Sequence, residues 1–140
     1  LGYLDDPTAT AARFHGDWFL TGDTVDMAED GALRYLGRGD DQMNPGGFRV
    51  SPLEVEAALS GLPGAEVWAV AEVEIKPGTR VIACFYTGRE PVDPDVHSAF
   101  AASRLARYRQ PRIWQHVPSL PRNANGKLNR RLLASLWNPK

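Results

Sequence analysis

The sequence predicts an α+β fold: a small three-stranded sheet with helices packed on it, preceded by a β-hairpin appendage. Three observations predict it. Residues 65–75 (AEVWAVAEVEI) and 80–87 (RVIACFYT) are runs of strand length joined by Lys76-Pro77-Gly78-Thr79, a turn signal. The second run is almost continuously apolar, which points to a strand covered on both faces. A third extended run, residues 112–117 (RIWQHV), follows only after a helical stretch.

Taken in order, Asp6-Pro7 followed by residues 8–14 and Gly16 reads as a short helix. It has an aspartate cap, a proline just inside and a glycine just past its end. Residues 18–20 and 23–28 are short extended runs. Glu29-Asp30-Gly31 forms a turn, and residues 32–36 pair back as a hairpin. This appendage is too small to fold on its own.

Residues 37–56 (GRGDDQMNPGGFRVSPLEVE) change character half-way. Gly37-Arg38-Gly39-Asp40-Asp41 is a flexible, charged joint that neither helix nor strand favours. Gly46-Gly47 then makes a turn that runs into a strong helix start. Ser51 and Glu54 form a capping box, with Pro52 preset at the first helical position. That helix spans 52–59 and is stopped by Gly61 and Pro63. Asp93-Pro94 opens another helix, to about 105 or 106, with Val96, Phe100 and Leu105 as expected core contacts. A Pro/Asn/Gly loop over 118–126 leads into a terminal helix, 128–136.

A chain of 140 residues holds one small domain with an appendage. No apolar run approaches membrane-spanning length and no basic-then-apolar leader opens the sequence, so a reducing cytoplasm is the default. The single cysteine, Cys84, lies inside a strand and reads as buried, not reactive. His15, His97 and His116 lack metal-ligand spacing and read as surface or packing residues. Trp114 and Trp137 fit the core or an edge. The net charge of −1 hides an asymmetry: residues 1–95 carry 17 acids and seven Lys/Arg, whereas 96–140 carry nine Lys/Arg and no acid. A nucleotide, a coenzyme phosphate, nucleic acid or an acidic neighbouring domain would each suit the basic half. Arg104, Arg107, Arg109 and Arg112 fall near an expected helix end, where cations favour the dipole without any ligand.

Several residues could carry chemistry. Asp23 closes a Thr-Gly-Asp turn, and its two acceptor oxygens suit a ribose diol. The tripeptide alone equally describes an aspartate bonding its own backbone. Arg38 offers five donors in a fixed fork, or is a solvated loop arginine. Lys127 follows Asn125-Gly126 on a loop entering a helix, where a plain turn with an exposed lysine would read the same.

Three stretches together decide among these. Trp18-Phe19-Leu20-Thr21-Gly22-Asp23, the 37–56 segment, and Leu120-Pro121-Arg122-Asn123-Ala124-Asn125-Gly126-Lys127-Leu128-Asn129-Arg130 stand in this order over nearly the whole chain. They resemble motifs of the AMP-forming acyl- and aryl-CoA synthetases, an adenylating superfamily shared with nonribosomal peptide synthetase adenylation domains and firefly luciferase. No Ser/Thr/Gly-rich phosphate loop ending in lysine is present, so the resemblance is to the C-terminal piece. It implies that 1–37 is the last edge of a large N-terminal domain, 38–43 a hinge and 44–140 a mobile lid. It further implies that Asp23 holds the ATP ribose, that Arg38 lies near ribose and phosphates, and that Asp40 is the hinge residue. Gly46 and Gly47 would line a pantetheine tunnel, with Arg49 helping on coenzyme A phosphates.

Lys127 would be the adenylation lysine. When a carboxylate attacks the α-phosphate of ATP, two anions approach, and a mobile ammonium can neutralise the growing charge without a proton transfer. The implied enzyme is an acid–thiol ligase that uses ATP, Mg²⁺ with ligands outside this chain, and coenzyme A. Its implied partners are the N-terminal domain and a carboxylic acid, with no nucleic acid and no membrane span. Two alternatives stand beside it: an adenylation domain loading a carrier protein, and a non-enzymatic nucleic-acid module built on the basic residues 96–140. The second predicts exposed aromatics interleaved with basic residues. Two departures matter. Asn44, followed by Pro45, stands where many acyl-CoA synthetases have a lysine, which weakens the carry-over of coenzyme A contacts there, while Ser51-Pro52-Leu53-Glu54-Val55-Glu56 favours acyl- or aryl-CoA ligases over peptide-synthetase domains.

Overall fold

The computed structural model describes residues 3–137, so the outermost residues of the expected spans 1–37 and 44–140 lie outside the described residues. The chain divides into two compact units, Leu1–Asp40 and Asp41–Lys140.

The first unit begins with α1 (Pro7–Ala12), whose cap Asp6 accepts from the Ala9 N–H at 2.8 Å. The helix stops short of residue 14 because Phe14 is taken by another pairing. β1 (Phe14–His15) lies antiparallel to β2 (Trp18–Phe19), with Phe14 opposite Phe19 and their rings edge-on at 5.4 Å. β3 (Asp23–Met27) and β4 (Leu33–Arg38) form the expected hairpin, running from the Met27–Leu33 pair to the Asp23–Arg38 pair. Val25, Met27, Leu33 and Tyr35 on this hairpin are all exposed.

The second unit contains the predicted three-stranded sheet, β5 (Val67–Lys76), β6 (Thr79–Thr87) and β7 (Ile113–His116), in that spatial order. β5 and β6 are antiparallel across Pro77-Gly78, while β6 and β7 are parallel. β6 is therefore central, and its side chains alternate between two cores. Ile82, Cys84 and Tyr86 face one, with residues of α2 (Pro52–Ala58) and α3 (Pro94–Ala102). Ala83 and Phe85 face the other, which is closed by Leu133 of α4 (Arg130–Ser135). This two-sided cover is why the run reads as continuously apolar. At the start of α2, Ser51 Oγ accepts from the Glu54 N–H at 3.4 Å and Pro52 takes the first turn.

Two expectations about α3 need correction. The helix ends at Ala102, not at 105 or 106, and the Ser103 hydroxyl donates back to the Phe100 carbonyl at 2.8 Å. Its fully buried residues are His97 and Ala101, one turn apart, while Val96 stays 46% exposed on the flank. The four arginines consequently lie beyond the last turn, and the helix dipole does not account for them. Arg104 instead stacks over the Phe100 ring at 3.7 Å, and Arg109 lies 3.7 Å from Glu54.

His97 packs edge-on against Tyr86, with Nε2 2.8 Å from the Pro63 carbonyl, and His116 Nε2 lies 2.9 Å from the Gly88 carbonyl. Among the described residues, no group of three His, Cys, Asp or Glu could hold a metal, and no helix is long and apolar enough to cross a membrane.

Candidate functional site

In the first unit, the geometry is set by the turn before β3. Gly22 adopts φ 81°, and the Thr21 hydroxyl accepts from the Asp23 N–H at 3.1 Å. Asp23 thus opens β3 directly opposite Arg38, which closes β4. The Gly39 N–H donates to the Gly22 carbonyl at 2.7 Å and pins the two ends together. So a carboxylate and a guanidinium fifteen positions apart in sequence become cross-strand neighbours. A further cation joins them that the sequence did not single out. A Cβ on Gly22 would stand 2.7 Å from Arg13 Nη1 and 3.2 Å from Arg38 Nη2. No motif marks Arg13; it arrives there because it caps the end of α1.

Asp40 follows in a single 3₁₀ turn, Gly39–Asp41. Arg38 Nε donates to its Oδ1 at 3.1 Å, and this bond holds the carboxyl below the usual carboxylate range. Both side chains are largely exposed, so the pair is weak. The expected joint is thus short and anchored at its first end through Gly39.

In the second unit, Met43 and Val50 exchange backbone hydrogen bonds of 3.0 and 2.8 Å and close the glycine loop. Gly46 and Gly47 have φ 60° and 86°, and a Cβ on either would meet nothing within 4 Å. Glycine is needed here for the left-handed backbone, not for room. The Asn44 N–H donates to Glu72 at 2.8 Å. Gly46, Phe48 and Tyr108 line a groove of about 360 Å³ together with Arg80, Arg107 and Arg112. Phe48 and Tyr108 stack at 4.9 Å. Gly47 and the exposed Arg49 do not line it. The arginines of this groove went unremarked as a site because they come from β6 and from two places after α3. The sequence groups Arg107 and Arg112 near the expected helix end, but nothing in it points to Arg80.

Lys127 sits at the tip of a tight loop. The Asn123 side chain accepts from the N–H groups of Asn125 and Lys127 at 3.0 Å each, and Arg122 donates to the Gly126 carbonyl at 2.8 Å. Gly126, at φ 75°, turns the chain, and Asn129 then caps α4. Among the described residues, the exposed Lys127 ammonium has no partner. Three residues on, the half-buried Arg130 forms a two-pronged pair with Glu56 of α2, at 2.5 and 2.9 Å. Its Nη1 also donates to the Val70 carbonyl at 2.9 Å, and its Nε lies 4.0 Å from Asp41. In the core, burial pushes the Cys84 thiol far up, so it stays neutral and inert.

No family model matches the chain. It is 41% identical over 137 residues to 2-succinylbenzoate–CoA ligase of Geobacillus kaustophilus, covering 96% of this chain and 28% of that protein. It is 37% identical over 141 residues to a dimodular nonribosomal peptide synthase of Bacillus subtilis, covering 94% of this chain and 6% of that protein. Among solved structures, the o-succinylbenzoate CoA synthetase of Bacillus subtilis with its acyl-adenylate intermediate superposes with a TM-score of 0.85 at 31% identity, over 94% of this chain and 27% of that one. Over nearly its whole length the chain is similar to members of the AMP-forming ligase family. It aligns with the C-terminal part of these AMP-forming ligases and spans 28% of the length of the curated relatives it first matches. Its α+β architecture is that of the family's C-terminal lid.

Proposed function

We propose that this chain supplies the nucleotide-binding edge, the hinge and the mobile lid of an ATP-dependent ligase that joins a carboxylic acid to coenzyme A. Supporting it above all is the pairing of Asp23 with Arg38 across one hairpin end, in a chain that also presents an exposed Lys127 whose ammonium has no partner among the described residues. Asp23 accepts from the two ribose hydroxyls, while Arg38, with Arg13 beside it, faces the phosphate side. Residues 1–37 are the edge of the large domain, 38–43 the hinge and 44–140 the lid.

In the first half-reaction a carboxylate oxygen of the acid attacks the α-phosphorus of ATP and pyrophosphate leaves. The Lys127 ammonium neutralises the charge building on the phosphoryl oxygens. Mg²⁺ would be held by residues outside this chain. The lid then turns about Asp40. The thiol sulfur attacks the acyl carbonyl, AMP leaves, and the thiol proton passes to solvent. The groove beside Gly46, with Arg80, Arg107 and Arg112 and the Phe48–Tyr108 stack, suits the phosphates and adenine of coenzyme A.

Loading of a pantetheinyl carrier protein is the second reading, favoured by the likeness to the dimodular peptide synthase. The nucleic-acid alternative fares worse, because Phe100, Trp114 and Trp137 in the basic half are packed against cores. The test uses the ligase that contains this chain. We expect exchange of labelled pyrophosphate into ATP that depends on a carboxylic acid, then thioester formation with coenzyme A. Asp40→Pro fixes φ at the pivot and should spare the exchange while abolishing the thioester step. Absence of acid-dependent exchange in the unmodified ligase would sink the reading, and a thioester formed only on a carrier protein would select the second one.

A further inference from the structure

Arg130 carries no role in the reading above, yet it is the most heavily tethered cation in the molecule's second unit. Its guanidinium meets both carboxylate oxygens of Glu56, at 2.5 and 2.9 Å, and donates to the Val70 carbonyl. Its side chain is 14% exposed and that of Glu56 is 17%. Glu56 is itself fixed: its Oε1 accepts from the Val70 N–H at 2.8 Å, and its backbone carbonyl accepts from Trp68 Nε1 at 2.9 Å. So α2, β5 and the start of α4 converge on one ion pair.

The loop carrying Lys127 has little else to hold it. Its own bonds are local, made by Asn123 and Arg122, with the Asn129 N–H reaching the Pro121 carbonyl at 2.8 Å. Beyond the Asn129 cap of α4, every hydrogen bond among the described residues that joins residues 118–130 to α2 or to the sheet is made by Arg130. Leu120 and Leu128 add apolar contact with the core, which resists separation but not sliding. Two parallel N–H···O bonds to a planar carboxylate fix direction as well as distance. The same guanidinium reaches toward Asp41, the residue after the proposed pivot, at 4.0 Å.

We propose that Arg130, clamped by Glu56, is the positioning residue for Lys127, setting where the ammonium stands in the adenylation step. This rests on the adenylation role given to Lys127 above. A misplacement of about 1 Å can cost on the order of 10²-fold in rate, so a loosened clamp should act on the one step that uses the lysine.

Arg130→Lys keeps the charge but loses the fork, and Glu56→Gln keeps the shape but loses the charge. Each is placed in the whole ligase, beside the unmodified enzyme and Lys127→Ala. Arg130→Lys should lower kcat for acyl-adenylate formation by on the order of 10²-fold. KM for ATP and the rate from ready-made acyl-adenylate should hardly move. Amide exchange at Lys127 should quicken while β6 keeps its protection. If Arg130→Lys does not fold, Glu56→Gln is read by the same criteria. An equal fall in both half-reactions, or unchanged adenylation in a folded variant, overturns the proposal. If Lys127→Ala leaves adenylation intact, the reading of Lys127 itself has failed, and the positioning claim falls with it.

Discussion

The two units of this chain solve opposite problems. Residues 3–40 have the secondary structure of a small fold but no interior. Among their described residues only Gly37 is buried, and Trp18 is 78% exposed. Residues 41–137 bury a central strand between two apolar cores, so that Phe85, Cys84 and Ala83 are fully enclosed. Hairpins without a covered face are marginal in water, whereas a strand covered on both sides carries most of a small domain's stability. The proposed chemistry divides the same way. Asp23 and Arg38 stand on the unit that cannot hold itself together, and Lys127 stands on a loop of the unit that can. On the proposed reading, the nucleotide edge is rigid only as part of something larger, while the lid brings its lysine on a self-sufficient body.

The largest effect expected from this contrast is on stability. Phe85→Ala empties the centre of one core and should destabilise the second unit by about 3–5 kcal/mol. Denaturant unfolding of the 140-residue chain measures it, with reagent access to Cys84 as a second probe, since the buried thiol should react only on unfolding. Amide exchange should be fast throughout residues 3–40 with or without the substitution. Slow exchange in β3 and β4 of the isolated chain would break the comparison.

Lys127→Ala should come next, and act on rate alone. Loss of a positioned donor of this kind costs roughly 10²- to 10³-fold, about 2.7–4 kcal/mol, here in acyl-adenylate formation. Because Lys127 is exposed and has no partner among the described residues, the unfolding midpoint should not move. A lowered midpoint with both half-reactions equally damaged would make it a folding residue.

Gly47→Ala should be smaller again. At φ 86° an L side chain costs about 1–2 kcal/mol, and with nothing within 4 Å of the added Cβ that strain is the whole effect. It should appear in the unfolding of the second unit and in the thioester step, with adenylation spared. An unchanged stability would mean that the loop relaxes to another conformation.

How much of this was legible depends on the range of the interaction. The β5–β6 hairpin and the two-sided cover of β6 follow from local apolar pattern and one Pro-Gly turn. Ser51 and Asn129 cap their helices through side chains acting within three residues. α3 ends earlier than its apolar spacing predicts because Leu105 does reach the core, but by a turn after the helix has closed, and apolar spacing alone cannot tell these apart. Arg13 beside Gly22, the arginine groove and the Glu56–Arg130 clamp are long-range meetings. Glu56 and Arg130 stand 74 positions apart, and neither local stretch points to the other. Charge content announced that cations mattered after residue 96, but only the fold says which of them meet.

The smallest prediction concerns the seam at Asp40, where the units divide. The Arg38 N–H bond lowers the Asp40 carboxyl below its ordinary value of 3.8, so the ionised form is favoured in the folded chain. A group whose folded value is depressed contributes stability above the unfolded value and loses it as pH falls through the folded one. The Arg38–Asp40 contact should therefore be intact at neutral pH and open only in strong acid, below 3.8. Exposure of both partners keeps the effect small, and salt should weaken it further. The Asp40 carboxyl carbon, followed by NMR across an acid titration, reads this directly. Arg38→Gln should raise the Asp40 value toward the ordinary one, and raised ionic strength should move the native chain in the same direction. If Asp40 titrates at the ordinary value with Arg38 in place, the pair is not formed in solution. The first unit would then keep no polar hold on the residue proposed as the pivot, and its anchor at Gly39 would stand alone.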